Sequence, residues 1–157
     1  MKQKIHPIKQ RHSSGCGPTS IKMTTHFLGR KMTFKEIELA CKQWKEEGMS
    51  NEDLVKTFET LGFKTVSSYN SSWEELIQNN TLDNVIVVSW MLEGYIGHFS
   101  VVDRVTDTHI WLADPESGSI VKMEKIIFLR LWLDYGEHWY PETKDAFQLR
   151  WMVVVRT

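Results

Sequence analysis

Gln10-Arg11-His12-Ser13-Ser14-Gly15-Cys16-Gly17-Pro18-Thr19-Ser20-Ile21-Lys22-Met23 decides how this chain is read. A cysteine stands between two glycines, just ahead of a stretch with helical apolar spacing. Pro18 falls in the first turn of that helix, where its missing N–H costs nothing. The helix is expected to run through Ile21, Met23, Thr24 and Leu28, with Gly29 as its C-cap. A cysteine at such a first turn feels unpaired N–H groups and the positive end of the dipole, which favour a thiolate. Gly15 would permit a turn of positive φ. With Gly17 and Gly97, it is also expected to let a substrate backbone come close.

Working outward, a nucleophilic thiolate needs an imidazole to move its proton and a carboxylate or amide to hold that imidazole. The chain supplies both in Gly97-His98-Phe99-Ser100-Val101-Val102 and Trp111-Leu112-Ala113-Asp114-Pro115. His98–Val105 and His109–Ala113 read as strands joined by a turn at 106–108. Antiparallel pairing then brings the start of the first, with His98, to the end of the second, with Asp114. Acyl transfer also passes through an oxyanion, and the side-chain amide of Gln10 and the Cys16 N–H are candidate donors for it. Taken singly, each residue has a structural explanation: a small apolar filler, a packed histidine, an Asp-Pro turn. The ordered set of Gln10, Cys16, His98 and Asp114 is what points to a thiol enzyme.

These residues carry a resemblance. Gln10-x5-Cys16-Gly17, Gly97-His98-Phe99 and Asp114-Pro115 resemble the bacteriocin-processing (double-glycine) cysteine peptidases and their stand-alone relatives of papain-like fold. The resemblance runs from about Ile8 to the C-terminal strand, with the middle matched in pattern only. It implies nucleophile, base, orienter and oxyanion donor for Cys16, His98, Asp114 and Gln10, respectively, and a peptide or protein substrate. Transporter-linked members usually read Asp-Cys-Gly, whereas this chain reads Gly15-Cys16-Gly17, and no membrane span or ATPase sequence accompanies it.

The rest of the chain supports one α+β domain over residues 1–157, a helical half against an antiparallel sheet with the site between them. Ile5–Lys9 reads as an extended lead into Gln10. Capping boxes are read at Thr33–Glu36, Ser50–Asp53 and Ser72–Glu75. The first is expected to open one helix with Phe34, Ile37, Cys41 and Trp44 along its apolar face, so that Cys41 is a buried structural thiol. The second places Leu54, Val55, Phe58 and Leu61 inward. Phe63–Ser67 is a short strand, and the unbroken run Val85-Ile86-Val87-Val88-Ser89-Trp90 is a strand buried on both faces. Residues 93–97 turn, Ile120–Met123 is a strand, Lys125–Leu133 is a helix and Leu149–Val155 closes the sheet.

Composition excludes several classes. With 41% apolar and 25% charged residues the chain is an ordinary globular one, and its net charge of −1 argues against a nucleic-acid partner. Two cysteines make no disulfide framework, and no cofactor is implied. His6, His12, Cys16 and His26 lack the close spacing of a metal site, so no metal is expected. Without a signal peptide or a membrane-length apolar run, the expected location is cytoplasmic. Of the seven tryptophans, Trp73, Trp90, Trp111, Trp132, Trp139 and Trp151 are read as core rather than as a stacking set. The Trp139 loop could alternatively border the cleft. Three functions fit: a cysteine peptidase, an acyltransferase, transpeptidase or deamidase using the same acyl-enzyme, and a silent binding module. Four catalytic-type residues favour an enzyme. Substrate preference and oligomeric state are not encoded in anything read above.

Overall fold

The change of period halfway along the chain becomes a physical division between helices and sheet. The computed structural model describes residues 4–41, 44–136 and 139–157. Helix α1 (Cys16–Phe27) starts at Gly15 and ends at Leu28, with Gly29 at φ +86. Helix α2 (Phe34–Ala40) opens with a reciprocal box, Glu36 N–H to Thr33 Oγ1 and Thr33 N–H to Glu36 Oε2. It stops at Cys41, whose ψ of 132 is extended, and Trp44 begins a separate turn, α3 (Trp44–Glu47). The single helix expected through Phe34, Ile37, Cys41 and Trp44 is therefore broken, with Lys42 and Gln43 outside the described residues. Ile37, Cys41 and Trp44 are nevertheless all buried. Apolar spacing reports which side chains reach the core, and an extended link can deliver them as well as a helix does.

Helix α4 (Asn51–Thr60) is capped one way, with Asp53 N–H donating to Ser50 Oγ. The reciprocal bond is made where Glu stands third, as in α2 and again in α5 (Trp73–Asn79), because that side chain is one methylene longer than Asp. Between these lies β1 (Lys64–Ser68). The later chain forms β2 (Val85–Leu92), β3 (Ile96–Val105), β4 (His109–Asp114), β5 (Ser119–Glu124) and α6 (Lys125–Leu131). A two-residue β6 (Leu133–Asp134) pairs with β7 (Gln148–Leu149), and β8 (Met152–Arg156) follows.

The main sheet is antiparallel in the order β1-β8-β2-β3-β4-β5. β8 does not close it as an edge but lies between β1 and β2, and Leu149 belongs to the small second sheet. Apolar side chains cover both faces. Val85 and Val87 join Ile21, Met23, Leu54 and Phe58 on one, and Ile86 and Val88 join Trp73, Leu76, Phe128 and Trp132 on the other. This double burial is why β2 has no polar alternation. Trp44, Trp73, Trp90, Trp132 and Trp151 are core residues. Trp139 is 88% exposed, which overturns the core reading at that position. Trp111 is half-buried beneath Arg104 and Lys122.

One irregularity positions the site. The β3–β4 register shifts between Val102 and Arg104. Asp103, inside that bulge, is buried, and its Oδ1 accepts the N–H groups of Lys4 at 2.7 Å and Ile5 at 2.6 Å. From there the segment runs past Met23, whose sulfur accepts the Ile8 N–H, to Gln10, whose N–H donates to the Pro115 carbonyl at 2.8 Å. Asp103→Ala strands two backbone donors and is expected to lower stability by about 2–3 kcal/mol. Asp103→Asn keeps the acceptor and should recover most of the loss. Urea unfolding of the three proteins checks this, and equal losses for both variants would contradict it.

Candidate active site

Cys16 occupies the first position of α1, and Gly15 offers no side chain to cap that helix end. Gly15 is glycine for want of space: its φ is −86, so the positive φ that glycine permits is not used, and an added Cβ would stand 2.9 Å from the His12 carbonyl oxygen. Gly17 is filled from the other side, since a Cβ there would meet the Met49 sulfur at 2.6 Å. Gly97 lies equally tight against the Asp134 carboxylate. At all three glycines the space that a side chain would take is occupied by the protein's own atoms.

His98 sits near the start of β3, opposite Trp90 of β2, and Asp114 ends β4. The pairing of Val101 with Ala113 draws these ends together as the strand pattern predicts. His98 Nε2–H donates to Asp114 Oδ1 at 2.5 Å, with both side chains only 4% exposed. The ring nitrogen left free by that bond is Nδ1, and Cys16 is near enough to favour charge on the ring. Burial acts against charge on His98, but the Asp114 and Cys16 interactions outweigh it and push the imidazole up to about 9. Burial likewise opposes charge on Asp114, and the His98 bond, the His98 charge and Ser117 together hold its carboxyl below the ordinary carboxylate value.

Asp114 is supported on every side. Ser100 Oγ donates to Oδ1 at 3.2 Å, and Ser117 N–H donates to Oδ2 at 3.0 Å. Trp90 Nε1–H in turn donates to Ser100 Oγ at 3.0 Å, and the Trp90 ring stands edge-on to His98. From sequence, neither Ser100 nor Trp90 has a place at the site, Trp90 reading only as core, although the period of two in β3 puts Ser100 on the His98 side of the strand. Gln10 lies beside the same turn, its Nε2 donating to Ser13 O at 3.3 Å and to Glu116 Oε2 at 3.0 Å. Asp134 is a further acid that sequence reading passed over; burial raises its carboxyl above the ordinary value, with Ser89 and the Tyr135 N–H as donors. Cys41 is the other thiol, and burial pushes it up to about 12.

Two of the histidines weighed as metal ligands have partners within the fold. His12 Nδ1 accepts the Ser14 N–H and its ring packs on Trp44, while His26 lies against Lys22 and the Met32 carbonyl. Among the described residues no three His, Cys, Asp or Glu side chains are grouped to hold a metal. Among them, too, no helix is long and apolar enough to cross a membrane.

An antiparallel sheet carrying His98 and Asp114, with a helix presenting a cysteine at its N-terminus, is a papain-like α+β fold. The chain belongs to the Peptidase C39 family, whose pattern it matches over residues 4–136, and it is a cysteine peptidase. It is 29% identical over 116 residues to the lactococcin-G-processing and transport ATP-binding protein LagD of Lactococcus lactis subsp. lactis. That match covers 73% of this chain and only 16% of the relative. The double-glycine-motif protease of an AMS/PCAT transporter, solved with its leader peptide, superposes with a TM-score of 0.74 at 16% identity, covering 99% and 94% of the two chains. A C39-like peptidase from Bacillus anthracis gives 0.72 at 13% identity, covering 100% and 98%.

The sign of the pH dependence follows from His98. A group raised from about 6.5 to about 9 stabilises the fold fully below the lower value and loses that contribution as pH rises through the upper one. The stability difference between wild type and His98→Gln is therefore expected to shrink from pH 6.5 towards pH 9. Denaturant titrations across that range check this; a difference that grows with pH would contradict it.

Proposed function

We propose that Cys16, His98 and Asp114 work as nucleophile, acid–base and orienter in peptide-bond hydrolysis, with Gln10 Nε2 and the Cys16 N–H receiving the oxyanion. The observation that carries this reading is the buried 2.5 Å bond from His98 to Asp114, on an imidazole whose titration Cys16 also raises. In this reading the thiol proton passes to the ring and attack starts from the thiolate.

In that reading Cys16 Sγ forms a bond to the scissile carbonyl carbon, and the carbonyl π pair moves onto oxygen. His98 then gives its proton to the leaving amine as the C–N bond breaks, leaving an acyl-enzyme. Water, deprotonated by His98, adds to the acyl carbon and the thiolate departs. Asp114, held by Ser100 and Ser117, keeps Nε2–H directed away from the reaction and Nδ1 towards it. The substrate proposed is a peptide cleaved after two glycines. This rests on family membership and on the peptide processing named for relatives.

Alkylation by iodoacetamide, with Cys41 as an internal control, tests the pair without any substrate. At neutral pH Cys16 should react fast in wild type and at least about tenfold slower in His98→Ala, because the proton acceptor is lost. Cys41 should stay slow in both. Asp114→Ala should slow Cys16 by a smaller factor. A Cys16 rate indifferent to His98 would rule out the proposed roles. Turnover of a peptide ending in Gly-Gly-anilide should vanish in Cys16→Ala and fall above about pH 9 in wild type as the imidazolium is lost.

A further inference from the structure

The amide nitrogen of Gln10 is already fully engaged in the free protein. Its nitrogen carries two N–H groups, and both have acceptors, the Ser13 carbonyl at 3.3 Å and Glu116 Oε2 at 3.0 Å. Reversing the amide would set its oxygen against both of these acceptors. The Ser13 carbonyl alone is thus enough to keep the nitrogen where it is. At the other end, Gln10 Oε1 is buried and has no hydrogen-bond partner among the described residues. Receiving an oxyanion therefore requires one of the present acceptors to yield.

The two acceptors differ in freedom. Ser13 O belongs to the backbone entering α1, in a loop braced by Gly15 N–H to His12 O and Ser14 N–H to His12 Nδ1. Glu116 is an exposed side chain with solvent to move into. The turn that bears it is fixed, however. Gly118 N–H donates to Asp114 O, Gln10 N–H donates to Pro115 O, and Gly118, at φ +66, has no room for a Cβ against Lys9. The Glu116 backbone stays beside Gln10 while its carboxylate is free to leave.

We propose that Glu116 is a resident placeholder on the oxyanion donor: its carboxylate occupies Gln10 Nε2 in the free enzyme and swings into solvent when the oxyanion forms. This rests on the reading of Gln10 as oxyanion donor. Glu116 takes part in no bond making or breaking. Its negative charge and the developing oxyanion compete for the same donor, so attack by Cys16 proceeds against it. Glu116 is then a brake on the reaction, and the sign of its mutation is opposite to that of a residue that assists. Glu116→Gln removes the charge and keeps the shape, and Glu116→Ala removes both; each should speed formation of the tetrahedral species.

A small peptide aldehyde, acetyl-glycyl-glycinal, reads this directly, since Cys16 adds to it and leaves an oxygen where the oxyanion would stand. Its affinity is measured by protection of Cys16 from iodoacetamide at neutral pH. Glu116→Gln and Glu116→Ala are expected to bind it about three- to tenfold more tightly than wild type, an exposed carboxylate competing through a hydrogen bond. Raising the salt concentration should tighten wild type and leave Glu116→Gln unchanged, because only a charge is screened. Gln10→Ala should bind more weakly. Weakening in Gln10→Ala with no tightening in either Glu116 variant overturns the placeholder alone. An unaffected Gln10→Ala, or a wild type that the aldehyde does not protect, overturns the oxyanion role of Gln10 and the placeholder with it.

Discussion

His98 and Asp114 meet at 2.5 Å with almost no exposure to water, and the architecture around them follows from the cost of that contact. Removing a carboxylate and an imidazolium from solvent costs several kcal/mol for each ion, repaid only where geometry is good and the remaining lone pairs are satisfied. Here they are satisfied in sequence. Ser100 and the Ser117 N–H attend to Asp114, and Trp90 attends to Ser100. The pairing of β2 with β3, the pairing of β3 with β4, and the turn after β4 each contribute one member of this set. A slip of register in either strand pair would turn alternate side chains to the other face and leave a buried charge alone.

The N-terminal segment ties the cysteine helix to that arrangement. Asp103, set in the β3 bulge, holds the backbone at Lys4 and Ile5, and the Pro115 carbonyl holds it again at Gln10. The turn at 114–118 thus serves two ends of the chain at once. It carries the carboxylate that is hydrogen-bonded to His98, and it fixes the loop that leads into Cys16. Coupling of this kind explains why Gly118 must be glycine: its positive φ closes the turn and its bare Cα lets Lys9 lie against it.

Much of this was legible in the chain. The boxes at Thr33 and Ser72 could be read because a Glu carboxylate reaches back to its own cap, and Ser50 was over-read because Asp53 is shorter. The buried strand at Val85 and the meeting of His98 with Asp114 follow from periodicity alone. The break at Cys41 was not visible, since burial of Ile37, Cys41 and Trp44 is compatible with either backbone. The interior place of β8 was also hidden, because sequence order says nothing about which neighbour a strand pairs with. Trp139 looked like core for its chemistry, yet lies on the surface.

By itself, the amino-acid sequence determined the elements, the order of Gln10, Cys16, His98 and Asp114, and the α+β class, because helix caps, strand periods and turn residues act over a few neighbouring positions. Only the tertiary structure decided what those residues touch. Why Gly15 is glycine, which serines hold Asp114, and what occupies the Gln10 amide all depend on atoms distant in sequence. Distances between such atoms are set by the packing of the whole sheet against its helices, and no local pattern records them.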